Sequence, residues 1–511
     1  MSFALQCFMA PVHPPTDKRF QSPAWQASPF GQLLAQQYLA SADFIRQQRE
    51  LMLASAPAAQ AEQARFMSEQ FIEAAAPSNF LASNPEALAA MMASRGDSLQ
   101  NGLANLLTDL RKGRVTQTDE SAFAVGRNLA VSPGAVVFEN EFFQLLQYSP
   151  TTPKVVEKPI LMVPPSINKF YILDLHPDTS FVKYTVAQGF TVFLVSWRNP
   201  VGLELNHATW DDYVSKGVMT AIMAVQAISG QKTINTLGFC VGGTLLTVAL
   251  GALAAKGLKP AASLTLLTTL LDFSQPGILG VFTDEAQVKQ REDTLGKGGL
   301  MPAKDLNNSF SMLRPNDLIW NYVVNQYLKG EPAPAPFDLL YWNGDSTNLP
   351  GPMFAWYLRH LYLNNALAKG ELKTLGQSID LAALTQPSYV LANKEDHIVP
   401  WQAAHQSARL LGSKGAAVRF VQGASGHIAG VINPPHKNKR SYTVGGSVGQ
   451  SPSTWESSAQ TIAGSWWPDW TAWLATHSGK SVKAKTALGN AGHPPIEPAP
   501  GRYVAVRAMP L

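Results

Sequence analysis

The chain has 511 residues, 46% of them hydrophobic and 15% charged, with a formal net charge of +4. That length and apolar content allow a large core and more than one domain, and so mild a positive charge argues against nucleic acid as the partner. Its two cysteines, Cys7 and Cys240, exclude a disulfide framework and a cysteine-built metal site, and suit a reducing cytoplasm.

Met1 to Met9 carry no basic residue ahead of their apolar stretch, so they make a poor signal peptide. No apolar run reaches the ~18 residues of a membrane span. From about residue 30 to 113 apolar residues recur every three or four positions, which predicts helices over Phe30 to Leu53, Ala58 to Ala75 and, with Asn84 as cap and Pro85 in the first turn, onward to Gly113. Amphipathic helices of this kind usually face a core; a partner or a lipid surface is the other reading.

After Glu120 the pattern changes. Ala135 to Phe138 and Phe142 to Tyr148 read as a hairpin around Glu139-Asn140-Glu141. Short apolar strands then alternate with helices: Pro159–Val163, Thr191–Trp197, Thr233–Phe239, Leu264–Leu271, Pro387–Ala392 and Ala417–Val421, with Trp210 to Ser229 a helix closed by Gly230. Such alternation predicts a mainly parallel sheet covered on both faces. Between Gly280 and about Thr374 the rhythm breaks into a stretch rich in Asn, Pro, Trp and Tyr, an insertion of the kind that caps an active site. Trp466, Trp467 and Trp470 read as core, and Cys7 as inert.

One stretch organises the rest. Gly238-Phe239-Cys240-Val241-Gly242 joins an apolar strand to the helix-forming run after Thr244. It has the form of a G-x-S-x-G nucleophile elbow with cysteine in place of serine. The glycines are required because side chains at 238 and 242 would clash across the turn. Taken alone, the motif is equally a buried cysteine in an ordinary strand-to-helix turn. The later chain decides. An α/β-hydrolase orders its residues nucleophile, acid, histidine. Asp396, after Pro387–Ala392, is the natural acid, with Glu395 and His397 as rivals; His427, after the last of these strands and among small residues, is the base. The oxyanion donors are expected to be the backbone N–H groups of Val241 and, in the loop Val163 to Asn168, Ile167. A thiol nucleophile favours acyl transfer over hydrolysis. It exchanges one thioester for another, and an alcohol can then take the acyl group downhill to an oxoester.

The stretches Gly238-Phe239-Cys240-Val241-Gly242-Gly243-Thr244, Val163 to Leu175, Thr191 to Pro200, Leu313 to Tyr322, Glu395 to Trp401 and Ser425 to Pro435 match one family in order. The chain resembles the polyhydroxyalkanoate synthases, most closely class I, from about Asp17 to the C-terminus. The resemblance implies an α/β-hydrolase fold over 121–511 with a cap insertion at about 280–374, preceded by an α-helical N-terminal domain over 1–120. It implies a Cys240, His427, Asp396 triad that polymerises 3-hydroxyacyl-coenzyme A, such as 3-hydroxybutyryl-coenzyme A, to polyester. Coenzyme A is then part of the substrate and a released product, and no separate cofactor is expected. It further implies a homodimer attached to the polyester granule surface with its associated proteins. Classes that need a second subunit lack the N-terminal domain, so this chain is expected to act alone. The role of Met1 to Thr16 is open, because the shared motifs begin almost at once. Basic runs at His436 to Arg440 and Lys480 to Lys485 are either solvated or drawn to the coenzyme phosphates. A cysteine thioesterase of the same fold, and a granule scaffold with a dead hydrolase fold, are the alternatives.

Overall fold

The computed structural model describes residues 17–508, so Cys7 and Met1 to Thr16 lie outside the described residues. Two compact units emerge: residues 17–120 with Lys304–Leu340, and Ser121–Ala303 with residues 341–508. The middle of the aromatic insertion therefore groups with the N-terminal helices, and its two flanks group with the sheet.

The first unit is helical. Its chief elements are α1 (Pro29–Leu53), α2 (Ala58–Ala74), α3 (Pro85–Ala93) and α4 (Asp97–Lys112). Asn84 caps α3 as expected, its side chain accepting from the Glu86 and Ala87 N–H groups. Helix α4 reverses the usual arrangement. Its polar and small residues Ser98, Gly102 and Asp109 are buried. A methyl at position 102 would lie 2.0 Å from the Tyr327 carbonyl oxygen, and the Tyr327 hydroxyl donates to Asp109 at 2.7 Å. Four of its five leucines, Leu99, Leu103, Leu107 and Leu110, are exposed instead, and Leu106 is half-buried.

The second unit is built on an eleven-stranded sheet. In chain order its strands are β1 (Gly134–Glu139), β2 (Phe143–Tyr148), β3 (Ile160–Val163), β4 (Val192–Trp197), β5 (Ile234–Phe239), β6 (Ala261–Leu267), β7 (Ser388–Asn393), β8 (Val418–Gly423), β9 (Ser441–Val444), β10 (Gln460–Ala463) and β11 (Glu497–Pro498). They lie in the order β10-β9-β8-β7-β6-β5-β3-β4-β2-β1-β11. From β4 to β8 all neighbours are parallel. Every residue of β3, β4, β5 and β7 is buried, as a sheet covered on both faces demands. The expected hairpin turns where Asn140 accepts from the Phe142 and Phe143 N–H groups. β6 ends four residues short of the expected Leu271, because Thr268, whose N–H still donates to the Leu391 carbonyl at 2.8 Å, turns to φ +41° and takes the chain out of the sheet. Trp466, Trp467 and Trp470 are core residues with Phe181 among them.

The chain passes from β3 outward to β4, then returns to the other side of β3 as β5. This is a topological switch point, where α/β sheets place their ligands beyond the carboxyl ends of the strands. Val163 and Gly238 pair there. Among the described residues no helix is long and apolar enough to cross a membrane.

Candidate active site

β5 delivers Cys240 into a sharp turn at φ 52°, ψ −129°, and helix α5 (Val241–Ala255) starts at the next residue. No side chain adopts that conformation without strain, so the surroundings must hold it. They do so by close backbone contact. The Cys240 N–H donates to the Leu267 carbonyl at 2.9 Å. A methyl at position 238 would lie 2.3 Å from Gly243 Cα, and one at 242 would lie 2.3 Å from the Val163 carbonyl oxygen. The glycine spacing read from the sequence is thus a packing requirement.

The loop after β7 turns at Asp396, which is buried, while Glu395 and His397 are exposed. Asp396 Oδ1 accepts the Ile398 and Val399 N–H groups at 2.9 and 2.8 Å, which leaves Oδ2 facing His427 Nδ1 at 2.6 Å. The loop after β8 carries His427 past Ser425 at φ 79°. The Asn393 amide donates to the Gly426 and His427 carbonyls and locks that loop to the end of β7. Phe239 stacks on the imidazole with ring centroids 5.8 Å apart. With Nδ1 committed to Asp396, the other ring nitrogen is the one left to serve Cys240, whose sulfur is among the groups that perturb the imidazole. Burial by itself would lower the His427 pKa, but the Asp396 carboxylate and the Cys240 sulfur prevail and raise it to about 10. The imidazole is therefore a strong proton holder beside the sulfur.

Val241 is the first residue of α5, where N–H groups lack an intrahelical acceptor and the helix dipole favours negative charge. Ile167 sits in the loop that leaves β3 against the elbow, and its carbonyl accepts from the Thr347 N–H at 3.2 Å. Tyr357 and Tyr362 also belong to these surroundings. Burial first, and the charge of Cys240 among the further causes, push both phenols up. Tyr362 packs edge-on to Phe273 at 5.0 Å, and Tyr357 stacks on Trp210 at 5.7 Å. The sequence singled out neither tyrosine; its only signal was the aromatic richness of the insertion.

The basic runs separate. Ser481–Lys483 pairs with Lys154–Val156, and Lys483 and Lys485 line a cleft of about 270 Å³ with Pro159 and Thr191, at the amino ends of the parallel strands. Cys240 lies at their carboxyl ends, one strand length of ~20 Å away. His436 to Arg440 leads into β9, which pairs with the carboxyl end of β8, the edge that carries His427.

Two families match the chain: "Poly-beta-hydroxybutyrate polymerase (PhaC) N-terminus" over residues 16–185 and "alpha/beta hydrolase fold" over residues 164–434. A poly(3-hydroxyalkanoate) polymerase subunit of Cupriavidus necator is 53% identical over 98% of this chain and 84% of its own. A poly(3-hydroxyalkanoate) polymerase of Methylorubrum extorquens is 42% identical over 97% of this chain and 82% of its own. Among solved structures, a monoacylglycerol lipase of Paleococcus ferrophilus is 12% identical with a TM-score of 0.38, covering 66% of this chain and 99% of that one.

Proposed function

The chain belongs to the poly(3-hydroxyalkanoate) polymerase family, class I, and from that premise we propose that it builds polyester from 3-hydroxybutyryl-coenzyme A through a thioester on Cys240. As an acyltransferase it joins hydroxyacyl units and releases coenzyme A. The supporting observation for the cysteine route is the pair Asp396 and His427, both buried, beside a half-buried Cys240 on a strained elbow.

In the first step His427 holds the thiol proton while the sulfur attacks the thioester carbonyl. The bond to coenzyme A breaks, and the imidazolium returns the proton to the departing sulfur. The Val241 and Ile167 N–H groups face the oxyanion. In the second step a 3-hydroxyl attacks the acyl-Cys240. His427 takes the hydroxyl proton, a new ester bond forms and the thiolate leaves. Asp396 keeps the imidazole in the tautomer both steps require. Coenzyme A is substrate and product, and no further cofactor enters. The enzyme works as a homodimer in the cytoplasm, on the surface of polyester granules and beside their associated proteins.

The test is incubation of the purified protein with 3-hydroxybutyryl-coenzyme A, following thiol release and weighing the product. Coenzyme A release with insoluble polyester, both lost in Cys240→Ala, is the expected result. Release with free 3-hydroxybutyrate alone would make the protein a thioesterase, and polymer from Cys240→Ala would sink the mechanism.

A further inference from the structure

The loop that carries Ile167 is held to the insertion by a set of hydrogen bonds. The Thr347 hydroxyl donates to the Ser166 carbonyl at 2.8 Å, and the Thr347 N–H donates to the Ile167 carbonyl at 3.2 Å. Asn168 bridges to Ser346, and the Trp342 indole N–H donates to the Lys169 carbonyl at 2.8 Å. Thr347 itself is 1% exposed. In a trans peptide the carbonyl and the following N–H point in opposite directions. The Ser166 carbonyl and the Ile167 N–H belong to one peptide group. A hydroxyl that fixes the carbonyl on the Thr347 side therefore fixes the Ile167 N–H on the other.

The frame behind Thr347 is itself polar and buried. Asn348, its neighbour, donates from its side chain to the Pro200 carbonyl and accepts from the Ala303 N–H, both within 2.9 Å. Two residues back, Asp345 accepts from the Tyr171 hydroxyl at 2.9 Å. Lys169, 2% exposed, donates to the Val506 carbonyl, so the C-terminal segment braces the same loop. Buried polar groups of this kind are tolerated only when each finds its partner, and such networks hold one arrangement.

We propose that Thr347 is a positioning residue for acyl transfer: its hydroxyl sets the plane of the Ser166–Ile167 peptide and so aims the oxyanion donor. The insertion thereby controls the catalytic loop directly, and any displacement of residues 341–348 turns that N–H away. This rests on the reading of Ile167 as an oxyanion donor.

Thr347→Val keeps the shape and removes the donor; Thr347→Ser keeps the donor. Rapid-mixing measurement of Cys240 acylation by 3-hydroxybutyryl-coenzyme A should show a loss of about 10- to 100-fold for Thr347→Val. KM should change little, and Thr347→Ser should recover most of the rate. Alkylation of Cys240 by iodoacetamide has no oxyanion, so it should proceed at the parent rate in both variants. Unchanged acylation in Thr347→Val would overturn the proposal, and so would equal losses in acylation and alkylation, which mark a general collapse. Cys240→Ala, run alongside, separates the two readings: its inactivity upholds the cysteine route even where Thr347→Val behaves as the parent.

Discussion

His427 is the residue on which opposing forces can be weighed. Burial alone would make it a weaker base than free histidine; the Asp396 carboxylate and the Cys240 sulfur outweigh that and take it to about 10. Asp396→Asn removes the stronger of the two raising charges and leaves the burial in place, so the pKa should fall steeply. Acylation by the thioester should slow by on the order of 10³-fold, as when a triad acid becomes an amide. The sign of the stability effect follows from linkage. A folded pKa above the unfolded one stabilises fully below the ordinary value of 6.5 and ceases to do so as pH rises through about 10. Thermal unfolding of the parent should therefore drop in temperature between those two values, and the drop should be shallower in Asp396→Asn. Parallel curves for the two proteins would show that Asp396 is not what holds the proton.

At the scale of the element, the elbow depends on close backbone approach. Gly242→Ala puts a methyl 2.3 Å from the Val163 oxygen and 2.4 Å from the Pro164 oxygen, where neither strand nor loop can yield. It should cost about 3 kcal/mol or more in urea unfolding. Gly257 offers the contrast: at φ +75° with nothing within 4 Å, its change to alanine should cost only about 1 kcal/mol. Equal losses at the two sites would mean that backbone conformation, not contact, sets the cost. This element was legible in the sequence because its requirements are local: two glycines at fixed spacing, an apolar strand before and a helix former after. Asp396 and His427 were legible because each follows a strand of the predicted sheet. The role of Thr347 was not, since its bond to Ser166 joins residues 181 positions apart. The same holds for Lys304–Leu340, whose grouping with the N-terminal helices depends on contacts such as Tyr327 to Asp109, 218 positions apart. The early end of β6 at Thr268 escaped notice because threonine favours strands and only the local turn overrides it.

At the scale of the whole molecule, acyl transfer and the attachment to an insoluble product proposed for this chain are separable demands, and different residues can meet them. The proposed catalytic groups all belong to the sheet-bearing unit, whereas, among the described residues, most exposed large apolar side chains lie on the helices of the other. Helix α4 is the clearest case: Leu103 is 57% and Leu110 66% exposed, while Gly102 and Asp109 are turned inward against Tyr327. That inward face is held by hydrogen bonds and by a contact that admits no side chain at 102, so the helix cannot rotate to bury its leucines. Each leucine left in water forgoes roughly 1.5 to 3 kcal/mol of burial, a strong bias toward any apolar surface the enzyme meets, and its own polyester is one. Leu103→Glu combined with Leu107→Glu should therefore leave acylation of Cys240 by soluble 3-hydroxybutyryl-coenzyme A at the parent rate. The fraction of protein sedimenting with preformed polyester particles should fall several-fold, and salt should not restore it, because the lost attraction is apolar. Sedimentation equal to the parent would show that α4 plays no part in attachment. A parallel loss of acylation would show instead that the leucine face supports the fold.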